Sequence, residues 1–299
     1  YSSSAFGYFN TAGGLASSAF GWSNTASAEN ASAFGYVNEA SGLASSALGF
    51  RNKAANENAS AVGYGNNAGG VASSAFGFSN VAKVDYASAF GYSNEASGLA
   101  SSAVGFRNKA ASENASAVGY GNNANALAAS AVGYNNTAGG VGSSTIGYNN
   151  TATNENASAF GYGNTAGGLA SSAFGFSNTA SGDNANAFGY NNIASGSKSN
   201  VFGTGNTVSG SSSTAVGTAN EVAAENSTAI GNNNTISSGA ENSAALGNNI
   251  SISLKDSVAL GNNSTATAIN SVTGNSSYTK WAGVSDVNFY RCRQRQPAV

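Results

Sequence analysis

The chain has 299 residues, of which only 8 % are charged, and a formal net charge of -2. So sparse a set of cations, unclustered along most of the chain, excludes a nucleic-acid-binding face, which needs grouped Lys and Arg to neutralise phosphates. The absence of histidine removes the commonest general base and metal ligand, and with it every Ser-His-Asp or Cys-His arrangement.

From its first residues the chain is periodic. Glycine returns every fourteen residues from Gly7, Gly21, Gly35 and Gly49 to Gly231, seventeen glycines in register, then at Gly247 after one sixteen-residue step and at Gly261. Around each stands the same phrase, as in Ser32-Ala33-Phe34-Gly35-Tyr36-Val37-Asn38 and Ser158-Ala159-Phe160-Gly161-Tyr162-Gly163-Asn164. A period this strict means one structural unit stacked many times. It overrides the two domains or so that length alone suggests, because stacked units grow along one axis without forming separate cores. The Ala, Ser, Gly and Asn-rich composition looks like a disordered low-complexity segment, but a disordered linker has no reason to keep aromatics in register.

Within a unit, short runs of Ala, Val, Phe and Tyr alternate with Ser, Gly, Asn and Asp, which reads as short strands joined by tight turns. The apolar positions do not follow helical spacing, and Gly and Asn recur too often for helix. Fourteen residues hold two strands of about five residues and two turns. Each unit is therefore predicted to be one coil of a parallel β-solenoid. At about 4.8 Å per coil the stack extends about 85–90 Å.

Number positions from the key Gly as zero. Position -1 is always bulky and apolar: Phe6, Phe20, Phe34, Leu48, Val62, Phe76, Phe90, Val104, Val118, Val132, Ile146, Phe160, Phe174 and Phe188, continuing to Leu246 and Leu260. Position -2 is Ala, with Thr145 and Val201 as exceptions. Position +1 is aromatic in the first fourteen units: Tyr8, Trp22, Tyr36, Phe50, Tyr64, Phe78, Tyr92, Phe106, Tyr120, Tyr134, Tyr148, Tyr162, Phe176 and Tyr190. It then becomes Thr204, Thr218, Asn232, Asn248 and Asn262. Position +3 is Asn from Asn10 through Asn234, and position +5 is usually Ala. Position +8 alternates Leu15, Leu43, Val71 and Leu99 with Glu29, Glu57, Asp85 and Glu113. A longer duplication repeats residues 31–76 almost unchanged as 87–132.

Composition divides the repeats, 1–274, into an aromatic-rich region, 1–196, and a Ser/Thr/Asn-rich region, 197–274. Residues 275–299 carry no repeat phrase. They read as a connector with an atypical tail that holds Cys292, the only cysteine, and three of the five arginines. A single thiol allows no internal disulfide. No run of eighteen apolar residues exists to span a bilayer. No signal peptide stands at Tyr1, so any export signal is expected to have been removed or left out.

Side chains on a strand alternate between faces. Positions -1 and +1 should share one face and Ala at -2 the other. A narrow coil interior accommodates Ala but not Phe from both walls, which points the -1 residues outward as a stripe running the length of the stack. The opposite assignment stays open, because a bend at Gly can reset the parity. A stripe of that size on a soluble protein marks an interface, and one coil alone buries little, so an obligate homo-oligomer is expected. The aromatic column at +1 has two readings: buried, it packs coils or subunits together; exposed, it is a sticky surface. The Asn at +3 is expected to cap a turn, tolerating the left-handed region, and stacked Asn side chains could also bond along the stack. The Gly at zero needs positive φ or the close approach of a neighbouring backbone.

No enzymatic constellation is present. Acidic residues at +8 recur every twenty-eight residues, too far apart for paired-carboxylate catalysis. Gly13-Gly14 and Gly69-Gly70 are turns of the repeat, not phosphate loops. No cofactor or metal is expected.

The phrases Asn226-Ser227-Thr228-Ala229-Ile230-Gly231 and Asp256-Ser257-Val258-Ala259-Leu260-Gly261-Asn262-Asn263-Ser264 resemble the head repeat of YadA-like trimeric autotransporter adhesins. The resemblance covers about residues 5–270. It implies a left-handed parallel β-roll, a homotrimer, and display on the outer membrane of a Gram-negative bacterium, with anchoring only through a downstream domain absent from this chain. It also implies binding to host extracellular-matrix or receptor proteins or to abiotic surfaces, and cell–cell aggregation. The aromatics at +1 exceed the family pattern, and -3 is mostly Ser where the family often has Val. The segment 278–287 resembles the family connector, whereas 289–299 departs from it as a shifted reading frame would; sequencing the encoding DNA tests that. The alternatives are a structural fibre, such as a phage tail fibre or matrix filament, and an ice-binding solenoid, for which Thr is too sporadic.

Overall fold

A computed structural model describes residues 2–267. Every regular element among them is a β-strand. Nineteen five-residue strands, from Ser4–Tyr8 to Val258–Asn262, are each followed by a two-residue strand, from Thr11–Ala12 to Thr265–Ala266. One of each makes a coil. The connector 275–299, Cys292 and the atypical tail lie outside the described residues.

The chain divides into two compact units, Tyr1–Gly163 and Asn164–Val299. In the first, each long strand pairs in parallel with the next, residue on equivalent residue: Ser32 on Ser46, Ala33 on Ala47, Phe34 on Leu48, Gly35 on Gly49, Tyr36 on Phe50. The series runs from Ser4–Tyr8 to Ser158–Tyr162. The short strands form their own parallel ladder from Thr11–Ala12 to Thr151–Ala152. The second unit repeats the scheme from Ser172–Phe176 to Val258–Asn262 and from Thr165–Ala166 to Thr265–Ala266. Its sixteen-residue step leaves the register intact, with Thr228 on Ala244. The two extra residues are taken up in the turn between Thr235–Ile236 and Ala244–Asn248.

The parity question is settled by burial. Ala at -2 and +5, such as Ala33 and Ala40, is wholly buried, whereas the -1 residues face out. Between the two strands of the first unit's coils the buried apolar side chains are alanines. In the second unit the interior takes larger groups, Val201, Val208, Val222, Ile236, Ile250 and Ile252.

The second strand is shorter than the five or so residues the sequence suggests, because two left-handed residues per coil consume the difference. In one coil these are Val37 at position +2 (φ 54°) and Ala44 at +9 (φ 52°). Each turns the chain while its N–H still reaches the coil before: Val37 N–H donates to the Trp22 carbonyl and Ala44 N–H to that of Glu29, both at 2.9 Å. The four-residue turn from +7 to +10 comes in two forms, which alternate from Gly14 to Ala115. In Gly42–Ser45 the glycine N–H donates to the serine Oγ (3.1 Å). In the following coil Asn56 and Ala59 replace that pair and the serine bond is lost, while both forms keep the bond from the last N–H to the first carbonyl (Ser45 to Gly42 and Ala59 to Asn56, each 3.1 Å). A Cβ on Gly42 would overlap the Asn56 carbonyl, so the glycine form makes space for its neighbour.

The Asn at +3 does not occupy the left-handed corner; the residue before it does. Asn38 is buried and works as a ladder. Its N–H and Nδ2 both donate to Oδ1 of Asn24 one coil back (3.0 and 2.9 Å). Nδ2 also donates to the Phe34 carbonyl of its own coil (2.9 Å) and the Gly49 carbonyl of the next (2.7 Å). The left-handed turn breaks the backbone ladder at this corner, and the amide column restores it. The glycine at zero belongs to the same device. Gly35 sits at φ +120°, and an added Cβ would strike the Gly49 carbonyl that Asn38 holds. Positive φ and close approach thus both apply.

Candidate interaction surface

The outer face of the long strand carries three columns: Ser at -3, the bulky residues at -1 and the aromatics at +1. Phe6 through Phe160 at -1 and Tyr8 through Tyr162 at +1 project from it in the first unit, and Phe174, Phe176, Phe188 and Tyr190 in the second; all are half-buried or exposed. In the single chain Leu48 keeps 37 % of its surface exposed and Tyr64 43 %.

Parallel in-register strands hold equivalent side chains one strand spacing apart, close to the thickness of stacked rings. Ten +1 rings therefore stack without interruption from Tyr36 to Tyr162, with centroids 4.7–4.9 Å apart and planes within 3–6°. In the second unit Phe176 and Tyr190 stack at 5.2 Å. The -1 column stacks where Phe follows Phe, as in Phe20 on Phe34 (5.1 Å) and Phe174 on Phe188 (5.0 Å). Inside the +1 ladder each ring's faces are covered by its neighbours, so solvent meets ring edges and tyrosine hydroxyls. Beyond Tyr190 an amide ladder occupies the same column: Asn232 Nδ2 donates to Asn248 Oδ1 and Asn248 Nδ2 to Asn262 Oδ1, each at 2.8 Å.

Two of the first unit's three lysines are paired with carboxylates. Lys53 bridges Glu39 at 3.2 Å, and Lys109 sits 4.0 Å from Glu95. Arg51 and Arg107 lie 5.1 Å from the ring centres of Phe50 and Phe106. Those two rings are half-buried, whereas Phe78, followed by Ser79, is exposed; the guanidinium groups lie over them. The sequence carried this signal in the duplication of 31–76 as 87–132, which repeats Phe-Arg-Asn-Lys. Reading the arginines as unclustered missed it. At +8 the apolar members also point outward, with Leu43 43 % exposed. The two aspartates at +8 tie their coil to the one before: Asp85 Oδ1 accepts the Val71 N–H (2.8 Å) and Asp183 Oδ1 that of Leu169 (3.0 Å).

Among the described residues no cluster of His, Cys, Asp or Glu could hold a metal ion, and no helix is long and apolar enough to cross a membrane. The YadA head domain repeat, in its two-copy form, matches residues 12–37, 40–66, 68–94, 96–122, 138–164, 166–192, 209–234 and 255–272, well over half of the chain. Its two-copy length fits the alternation of glycine and non-glycine turns. No curated protein matches the chain.

Proposed function

The chain belongs to the YadA head domain family, and from that premise we propose that it is the head of a trimeric autotransporter adhesin, a non-enzymatic surface that holds by multivalent contact. The observation that carries this reading is the unbroken outward stack of ten rings from Tyr36 to Tyr162. Exposed apolar surface of that extent is rare unless something binds it. The -1 stripes, Phe6 to Phe160 in the first unit and Phe174 to Phe188 in the second, are the surfaces three copies share, and the +1 ladder is the adhesive one. Many near-identical weak sites on three chains then add by avidity.

The targets are host matrix or receptor proteins or abiotic surfaces, with aggregation between cells that display the same head. The head spans 1–274, with the aromatic-rich region, 1–196, carrying the contact. It is displayed outside a Gram-negative outer membrane and anchored by a downstream domain. The test replaces Tyr36, Tyr64, Tyr92 and Tyr120 with Ser and measures oligomeric mass and attachment of protein-coated beads. Unchanged mass with lost attachment supports the reading. A loss of the trimer assigns the ladder to the subunit interface instead.

A further inference from the structure

The two arginines of the first unit stand in one column, at +2, four coils apart. With about 4.8 Å per coil, they are about 19 Å apart. Neither guanidinium makes an ion pair or hydrogen bond among the described residues, whereas the neighbouring Lys53 and Lys109 are matched by Glu39 and Glu95. The unit's remaining cation, Lys83, belongs to a different turn of its coil. Each guanidinium lies over a ladder ring, its central carbon 5.1 Å from the ring centre, so the side chain is held in place before any partner arrives while its N–H groups keep no protein partner among the described residues. Between the two, position +2 holds only Gly65, Ser79 and Ser93. The column is therefore low in the middle and cationic at both ends, with Tyr64, Phe78 and Tyr92 along one side.

We propose that Arg51 and Arg107 form the two ends of a docking track for an extended acidic polypeptide segment of a partner protein, with one carboxylate on each guanidinium. An extended chain rises about 3.3 Å per residue, so six residues span about 20 Å. Side chains an even number of residues apart point the same way, so carboxylates at i and i+6 reach both arginines together. Guanidinium pairs well with carboxylate because two parallel N–H groups match its two oxygens. A dense polyanion fits poorly: residues 1–163 carry seven carboxylates against five cations, and repulsion from the surrounding acids favours a partner with sparse negative charge. This track does not require the ladder to be adhesive.

The test is fluorescence anisotropy of labelled Gly/Ser/Thr peptides with two Glu six residues apart, two Glu three apart, or one Glu. The intact protein should bind the six-apart peptide about tenfold more tightly than the other two, since the second contact becomes intramolecular. Arg51→Gln and Arg107→Gln should each abolish that preference. Equal or absent binding of the three peptides by the unaltered protein overturns the proposal. So does a preference retained in the double variant, or tighter binding of a sulfated polysaccharide than of the six-apart peptide. The spacing series on the unaltered protein decides the matter by itself should either variant fold poorly.

Discussion

Removing one rung of the buried amide ladder tests the physical logic of the coil. Asn94 is 1 % exposed. Its N–H and Nδ2 donate to Asn80 Oδ1 (3.0 and 2.9 Å), and Nδ2 reaches the carbonyls of Phe90 (2.9 Å) and Gly105 (2.7 Å). Its Oδ1 accepts the Asn108 N–H (2.9 Å) and Nδ2 (3.0 Å). Asn94→Ala leaves the Asn108 N–H buried without a partner, at a cost of about 1–3 kcal/mol, and takes a donor from each of two carbonyls at about 1 kcal/mol apiece. The sum, about 3–5 kcal/mol, corresponds to a fall in Tm of about 6–20 °C for a unit of this size. Thermal melts at fixed protein concentration measure it, since assembly makes Tm depend on concentration. Because coils interact with nearest neighbours, hydrogen exchange should accelerate most at the Asn108 amide. A loss below about 1 kcal/mol, with unchanged exchange at Asn108, would refute the role given to the ladder.

Three further substitutions separate the other features of the coil. Asn123 lies outside the ladder and its Oδ1 is buried without a partner; Asn123→Thr, which copies Thr137 one coil on, should raise stability by about 1 kcal/mol in a denaturant titration. Val37 holds φ 54°, a region that costs a β-branched residue about 1–2 kcal/mol, so Val37→Gly should raise Tm despite the added freedom of the unfolded chain. Gly119 sits at φ +121° and an added Cβ would overlap the Gly133 carbonyl; Gly119→Val should disrupt stacking by several kcal/mol, about 3 or more, seen as lost amide protection in the coils on either side. A wild-type melt for that variant would contradict the assignment of the glycine.

The period, the parallel solenoid and the inward Ala were legible because they depend on side-chain size at fixed spacing. Ala33 and Phe34 differ so much in volume that only one can enter a flat coil. The left-handed corners were not legible. Positions +2 and +9 hold Phe9, Val37, Arg51 and Tyr86 as readily as Asn30 or Gly65, because coil closure imposes the conformation and local propensity is overridden. The Asn at +3 misled for a related reason. Asn is the usual occupant of a left-handed turn, and only the coil geometry shows the turn one residue earlier, which frees its amide to bond along the stack. On the interaction surface, the columns at -1 and +1 could be read from the repeat, but the covering of Phe50 and Phe106 by Arg51 and Arg107 depends on what lies beside them in the fold.

The claim that three chains share the outward stripe is tested most directly by the mass of the purified chain in solution. Light scattering at micromolar concentration should give three times the chain mass of 29.3 kDa, persisting on dilution until the protein unfolds. A folded, β-rich particle of a single chain's mass would contradict it.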